Sequence, residues 1–344
     1  MKKASLVIEE FYQANKIFDL NDPSRNRDNS MYFAARLRDE LKTRGYDLQT
    51  NDIHSPHESD LAIYVEMPKR ADLFPKPKNK AKSSIILYES DLIRPDNWDT
   101  AKHEMFERVF TWNDDLVSRQ PTRYIKSNFA YKIPSGPTAV PFAKRKLCTL
   151  IAGNKSVKHP LELYTARRDF IRWAEKNIPG EFEYYGVGWE HSYLNGGFVH
   201  KVLRRLKLLP YLPVRPSPSY RGKVGEKNPV LSQYRFSICF ENGRDIPGYV
   251  TEKILDSLFA GCVPVYWGAP NIAAHIPANC FIDFRDFLTE TDPFSALAAH
   301  MKSMTETRWN QFQMDIAAFL SGEKIRPYAA EPWAEMIVGH VVAL

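Results

Sequence analysis

Three consecutive residues, Thr251-Glu252-Lys253, stand at the start of a helical pattern and carry the plainest chemical signal in this chain. Ile254, Leu255, Leu258 and Phe259 share one face of that helix, Thr251 occupies the N-cap position, and Gly261 is placed to stop it. A lysine in the first turn sits near the positive end of the helix dipole, where a cation is slightly unfavourable. The placement makes sense if an anion binds there. The unpaired N–H groups of the first turn point the same way as the ammonium, and a diphosphate would fit both. Glu252 can accept hydrogen bonds from ribose or sugar hydroxyls. These residues alone also fit a surface Glu–Lys pair on an ordinary helix.

The flanking elements must hold this turn in place. Residues 236–240 form an apolar run of strand type. Residues 241–248 are polar and broken by Gly243, Pro247 and Gly248, and residues 263–267 are a second buried strand. This is a βαβ unit, and open parallel sheets bind ligands in the loops beyond the carboxyl ends of their strands. Strand and helix patterns alternate elsewhere too. Strands are expected at 5–8, 61–66, 84–89 and 109–112, and a helix at 31–44 between a Ser30 cap and Gly45. After the proline-rich stretch 133–141 and the basic Lys144-Arg145-Lys146, read as a linker, come a strand at 147–152, a helix at 160–177 and a strand at 181–186. The tail from Pro293 is helical. The expected fold class is α/β, with two Rossmann-like domains at 1–143 and 144–344.

At 344 residues the chain is comfortable for two such domains. Hydrophobic content of 44% and charged content of 26% are those of an ordinary globular protein, and no apolar run is long enough for a membrane span. The N-terminal stretch reads as a first strand, not a signal peptide. Cys148, Cys239, Cys262 and Cys280 lie in apolar runs without CxxC spacing, which suits reduced thiols and a cytoplasmic location. A net charge of +6 suits anionic partners. No nucleic-acid motif is present, and no nucleic-acid partner is expected. There is no Asp-x-Asp and no His/Cys ligand cluster, so no metal site is expected and phosphate charge must be met by Arg and Lys.

The full stretch is more specific than its parts. FEN, a short loop, YVTEK and AGCVPVYWG, preceded by RGKVGEKNPVLSQYRF from Arg221, resemble the donor-binding signature of glycosyltransferase family 10, most closely its bacterial members. These are the α-1,3/1,4-fucosyltransferases, which use GDP-fucose. The resemblance implies a GT-B architecture, with two Rossmann-like domains facing across a cleft. The acceptor would bind the first domain and the nucleotide the second, and the last helix would return to the first. It implies inverting transfer of L-fucose from GDP-L-fucose to a hydroxyl of a bacterial surface glycan such as lipopolysaccharide, with no cofactor required. Another nucleotide-linked deoxysugar, or a non-catalytic GDP-sugar-binding protein, is the alternative.

Inverting transfer needs a base for the acceptor hydroxyl, cations for the leaving diphosphate and a fixed sugar. Glu89 is the expected base, because Ser-Ile-Ile-Leu-Tyr-Glu-Ser is a buried strand ending in a carboxylate. It also resembles the family's strand that carries the proposed base. Asp91, Asp114 and Asp115 are its rivals. Arg167, by resemblance to the family's Ala-Arg helix, and Lys253 are expected on the diphosphate, with Arg168 one residue away from the same role. The loop 153–163 looks longer than is usual in the family. The resemblance also puts Asn242 and Tyr249 in the nucleotide-sugar pocket. Arg221 and Lys223 either add positive field there or belong to a solvated basic loop. The segment 200–223 carries seven Lys and Arg residues and no acid. If 201–209 is helical, Val202, Leu203, Leu206 and Leu209 share one side, a pattern that suits either packing on the second domain, with the cations attracting the nucleotide, or peripheral contact with an anionic membrane at the inner face.

Overall fold

A computed structural model describes residues 1–190, 198–208 and 217–343 of the chain, without the side chains of 200, 201 and 204. It comprises two compact units, 1–133 with 246–250 and 322–344, and 134–245 with 251–321.

The first unit is built on six parallel strands: β1 (Lys2–Val7), β2 (Tyr46–Thr50), β3 (Leu61–Val65), β4 (Ser83–Leu87), β5 (Arg108–Thr111) and β6 (Tyr124–Lys126). Their order is β2-β1-β3-β4-β5-β6. β4 is buried along its whole length and β3 over its first four residues, as strands covered on both faces must be. One face packs on the helix Tyr32–Thr43 through Ala34, Leu37 and Leu41. It also packs on the chain's last helix, Ala330–Val342, through Trp333, Ile337, Val338 and Val341. Trp333 Nε1 donates to Ser127 Oγ at 2.9 Å, and its ring meets Phe33 edge-on.

β2 and β6 escape sequence reading. Tyr46–Thr50 is polar with only two buried residues, and Tyr124–Lys126 is three residues long. Met31 rather than Ser30 occupies the N-cap of Tyr32–Thr43, and the Ser30 hydroxyl donates back to the Arg25 carbonyl at 3.2 Å. β4 ends at Leu87, so Glu89 lies in the turn beyond it rather than in the strand.

The second unit contains β7 (Lys146–Ile151), β8 (Phe182–Tyr185), β9 (Tyr234–Phe240), β10 (Val263–Trp267) and β11 (Ile282–Asp283), all parallel, in the order β11-β10-β9-β7-β8. The chain steps from β7 outward to β8 and returns to the other side of β7 as β9. Strand order reverses there, and such a point opens a crevice at the carboxyl ends. The stretch read as a linker is bonded to this unit, so the unit begins at Pro134 and not at residue 144. Thr138 N–H donates to the Phe259 carbonyl at 2.9 Å. The buried Arg145 guanidinium donates to the carbonyls of Thr138, Val140, Tyr234 and Ala260 and lies over the Trp309 ring. A run of basic residues looks solvated in sequence; here its middle member is a buried tie.

Candidate functional site

The carboxyl end of β9 gathers four of the expected donor residues, Arg167, Asn242, Glu252 and Lys253. Arg167 projects from the helix Tyr164–Asn177 and is buried. Its Nε and Nη2 donate to the carbonyl of Phe240, the last residue of β9, at 2.9 and 2.6 Å, and Nη2 also donates to Asn242 Oδ1 at 3.1 Å. The guanidinium lies over the Tyr164 ring. Arg168 points elsewhere, to the Lys155 carbonyl and the Thr165 hydroxyl. The first of the two arginines is therefore the one at the strand mouth.

The helix Glu252–Phe259 starts in the same place, and Glu241 organises its first turn. This carboxylate is fully buried. It accepts from Thr251 N–H at 2.9 Å, from the Thr251 hydroxyl at 2.6 Å and from Lys253 Nζ at 3.2 Å. Thr251 thus occupies the N-cap position, but its hydroxyl serves Glu241 and makes no capping bond to the helix. Gly268 is required beside it, since a Cβ there would come within 2.5 Å of Glu241 Cγ. Burial opposes the charge on Lys253, yet Glu252 and Glu241 hold its pKa above the usual lysine value. Burial likewise opposes charge on Glu252, but Lys253 and Lys227 keep it well below the usual carboxylate range. Lys227 Nζ lies 2.6 Å from Asp256 and 3.9 Å from Glu252. Three cations and three carboxylates are thus interleaved here. Each cation is held in position, so an arriving anion meets fixed donors rather than loose side chains.

Glu241 and Lys227 were not among the residues singled out from the sequence, though both lie in the quoted motifs. Glu241 reads as a loop residue until β9 and the helix start are brought together. Lys227 reads as one charge in a basic stretch.

Arg221 and Lys223 do not join this group. Residues 219–221 run beside β8, where Arg221 N–H donates to the Tyr184 carbonyl. The Arg221 side chain donates to Glu183 at 2.9 Å, together with Lys146, the first residue of β7. Burial works against charge on Glu183, but bonds from Lys146, Tyr234 and Arg221 bring it down to about 2. The guanidinium is therefore spent on a structural carboxylate near the amino ends of the strands. Lys223 is exposed, 3.8 Å from Glu190.

Within the first unit, Glu89 is half-buried in the turn after β4. Among its rivals, Asp114 accepts from Lys126 Nζ at 2.6 Å, and Asp91 and Asp115 are exposed. Tyr249 belongs to this unit, buried with its ring 4.7 Å from that of Trp112. Gly248 before it has φ +81°, and a Cβ there would strike the Trp112 carbonyl at 2.2 Å, so only glycine lets the segment approach. Glu66, at the end of β3, accepts from the Tyr88 and Glu89 N–H groups at 3.0 and 2.9 Å, and sequence reading missed it. Its only signal was a carboxylate closing an apolar strand, the same signal that drew attention to Glu89.

Among the described residues, no group of three or more His, Cys, Asp or Glu side chains is placed to hold a metal ion. No described helix is long and apolar enough to cross a membrane.

Two parallel-sheet α/β units of this kind define the GT-B class of glycosyltransferase folds, and comparison with solved structures agrees. A crystal structure of an α1,3-fucosyltransferase matches with a TM-score of 0.56 over 99% of this chain and 90% of that one, at 16% identity. The DNA-modifying enzyme β-glucosyltransferase matches with a TM-score of 0.55 over 99% and 100%, at 11% identity. At such identities the likeness is one of fold. Within that class, residues 214–313 match the model of glycosyltransferase family 10 (fucosyltransferase) C-term. The chain is 43% identical over 79 residues to the α-(1,3)-fucosyltransferase FucT of Helicobacter pylori, covering 22% of this chain and 16% of that protein. It is 38% identical over 87 residues to human α-(1,3)-fucosyltransferase 7, covering 24% of each. The matched region thus spans a quarter or less of these relatives.

Proposed function

We propose that this protein is a fucosyltransferase that moves L-fucose from GDP-L-fucose to a glycan hydroxyl with inversion at the anomeric carbon. The observation that carries this reading is the array at the carboxyl ends of β9 and the following helix start. Arg167 is held there by the Phe240 carbonyl, Asn242 by Arg167 and Lys253 by Glu241, with Glu252 3.6 Å from Lys253; Asn242, Glu252 and Lys253 lie inside the region matched to the fucosyltransferase family. In this reading Arg167 and Lys253 meet the charge of the departing diphosphate, and Glu252 takes hydrogen bonds from ribose or sugar hydroxyls. Tyr249 and Asn242 help shape the donor pocket. Glu89 takes the proton of the acceptor hydroxyl as its oxygen attacks the anomeric carbon. The new C–O bond forms as the bond to the β-phosphate oxygen breaks, and GDP leaves. A GlcNAc- or glucose-containing bacterial surface glycan is the proposed acceptor. NMR of the fucoside formed tests inversion: an α-linked product from the β-linked donor supports it, and a β-linked product contradicts it.

The protein's own cations serve the phosphate in this account, so transfer is expected to continue after dialysis against EDTA. Complete loss of activity, restored by adding a divalent metal, would contradict it.

The acceptor also bears on location. A helix spans Phe198–Arg205 and ends before Leu206 of the apolar side read from the sequence; Phe198, Val199, Val202, Leu206 and Leu208 are exposed. Leu209 and the rest of the stretch to 216 lie outside the described residues, as do the side chains of Lys201 and Arg204. The apolar exposure, with Arg205 and Lys207 exposed beside it, supports peripheral binding to an anionic membrane surface. Each cation near such a surface contributes about 1 kcal/mol, screened by salt. Co-sedimentation with phosphatidylglycerol vesicles at low salt is expected to exceed that with phosphatidylcholine vesicles. It should fall when Arg204, Arg205 and Lys207 become Gln. Equal, negligible binding to both vesicles would end this part of the proposal.

A further inference from the structure

The turn that carries Glu89 is held by side chains. β4 ends at Leu87. Beyond it, the N–H groups of Tyr88 and Glu89 both donate to Glu66 Oε1. The Tyr88 carbonyl accepts from Trp112 Nε1 at 2.7 Å, and the Glu89 carbonyl accepts from Trp98 Nε1 at 3.0 Å. Asn97 closes the ring: its Nδ2 donates to Glu66 Oε2 and its Oδ1 accepts from Met67 N–H at 2.9 Å. Of these partners, Glu66 alone holds two successive N–H groups of the turn.

The backbone of Glu66 is itself unusual. Its φ of +68° lies in the left-handed region, where a glycine would turn the chain without strain. Strained non-glycine residues persist where the surroundings over-determine them, and they cluster at functional sites. The strained position here carries a carboxyl group, and that group is bonded to the backbone of Glu89.

We propose that Glu66 is a positioning residue for the base, fixing the Tyr88–Glu89 turn so that the Glu89 carboxylate is presented in one orientation. The inference rests on the assignment of Glu89 as base. The two carboxyls also interact through charge. Burial pushes Glu66 up to about 8, against the pull of the Glu89 and Tyr88 N–H groups; the Glu89 charge adds to the rise and Arg94 opposes it. Arg94 is in turn paired with Asp96 and lies 3.7 Å from Glu9. The Glu66 ionisation therefore falls within the range of an ordinary assay.

The test is steady-state GDP release from GDP-L-fucose, with a GlcNAc-terminated glycan as acceptor probe, for Glu66→Ala, Glu66→Gln, Glu89→Gln and the double variant Glu66→Ala/Glu89→Gln. Misplacing a reacting group by about 1 Å can cost on the order of 10²-fold in rate. Glu66→Ala is accordingly expected to lower kcat by about 10- to 100-fold with the donor KM unchanged. Glu66→Gln keeps the Oε1 acceptor but sets an amide donor against Asn97 Nδ2, so it should recover part of that loss. In the Glu89→Gln background, Glu66→Ala should cost nothing more, because it acts through Glu89. Wild-type kcat in Glu66→Ala would overturn the proposal, as would a loss that adds in full to that of Glu89→Gln. If Glu66→Ala does not fold, the pH profile of Glu66→Gln decides. The wild-type ionisation near 8 should vanish from it, and an unchanged profile would overturn the coupling. Full activity in the single Glu89→Gln variant would instead show that the base is misassigned, an outcome separate from the others.

Discussion

Glu89→Gln is expected to cut fucosyl transfer by about 10²–10⁴-fold, the usual contribution of a positioned general base. The substitution keeps shape and removes basicity. The change leaves Arg167 and Lys253, the cations proposed for GDP, and their bonds untouched, so affinity for GDP should hardly change. The bonds that shape the turn run through the Glu89 backbone and survive the change. A variant whose turnover stays within about threefold of wild type would remove Glu89 from this role. Asp114, already engaged by Lys126, would then be a poorer substitute than Asp91, which is exposed two residues beyond Glu89.

The second large effect is expected on GDP itself. Arg167→Ala and Lys253→Ala each remove a charge-assisted bond to phosphate, worth roughly 1.5–3 kcal/mol, so GDP affinity should fall by about 10- to 100-fold. The two differ in what else they disturb. Arg167 also ties the Phe240 carbonyl to Asn242, so its loss frees the start of the donor loop. Losing Lys253 strips the fully buried Glu241 of its cation and should lower the melting temperature as well. Lys253→Met with Glu241→Gln separates these effects: thermal stability should return and GDP affinity should not. Arg168→Ala, whose guanidinium is turned to Lys155 and Thr165, should leave GDP affinity as it is. Calorimetry showing wild-type affinity in either single variant would contradict the assignment.

Much of this site was legible before the structure. The βαβ unit declared itself because parallel strands buried on both faces appear as continuous apolar runs, as in Phe236 to Phe240 and Val263 to Trp267. The helix start at Thr251-Glu252-Lys253 was legible from its cap position and its misplaced lysine. Three-dimensional partners were not. Glu241 looks like a loop residue until the helix start folds over it. Glu66 gains its meaning from a left-handed φ that spacing cannot report. Arg221 looked available for phosphate because its ion-pair partner, Glu183, is 38 residues away on another strand. The proline-rich stretch looked like a linker because the carbonyls that Arg145 gathers come from four separate positions.

The most direct test of the account is GDP release measured in parallel with GDP-L-fucose, GDP-mannose and UDP-glucose as donors, without acceptor and then with a GlcNAc-terminated glycan. The account predicts slow release from GDP-L-fucose alone, accelerated by the glycan, with fucose recovered on it. Binding of GDP without release from any donor would make the protein a sugar-nucleotide binder. Release confined to GDP-mannose or UDP-glucose would contradict fucosyl transfer outright.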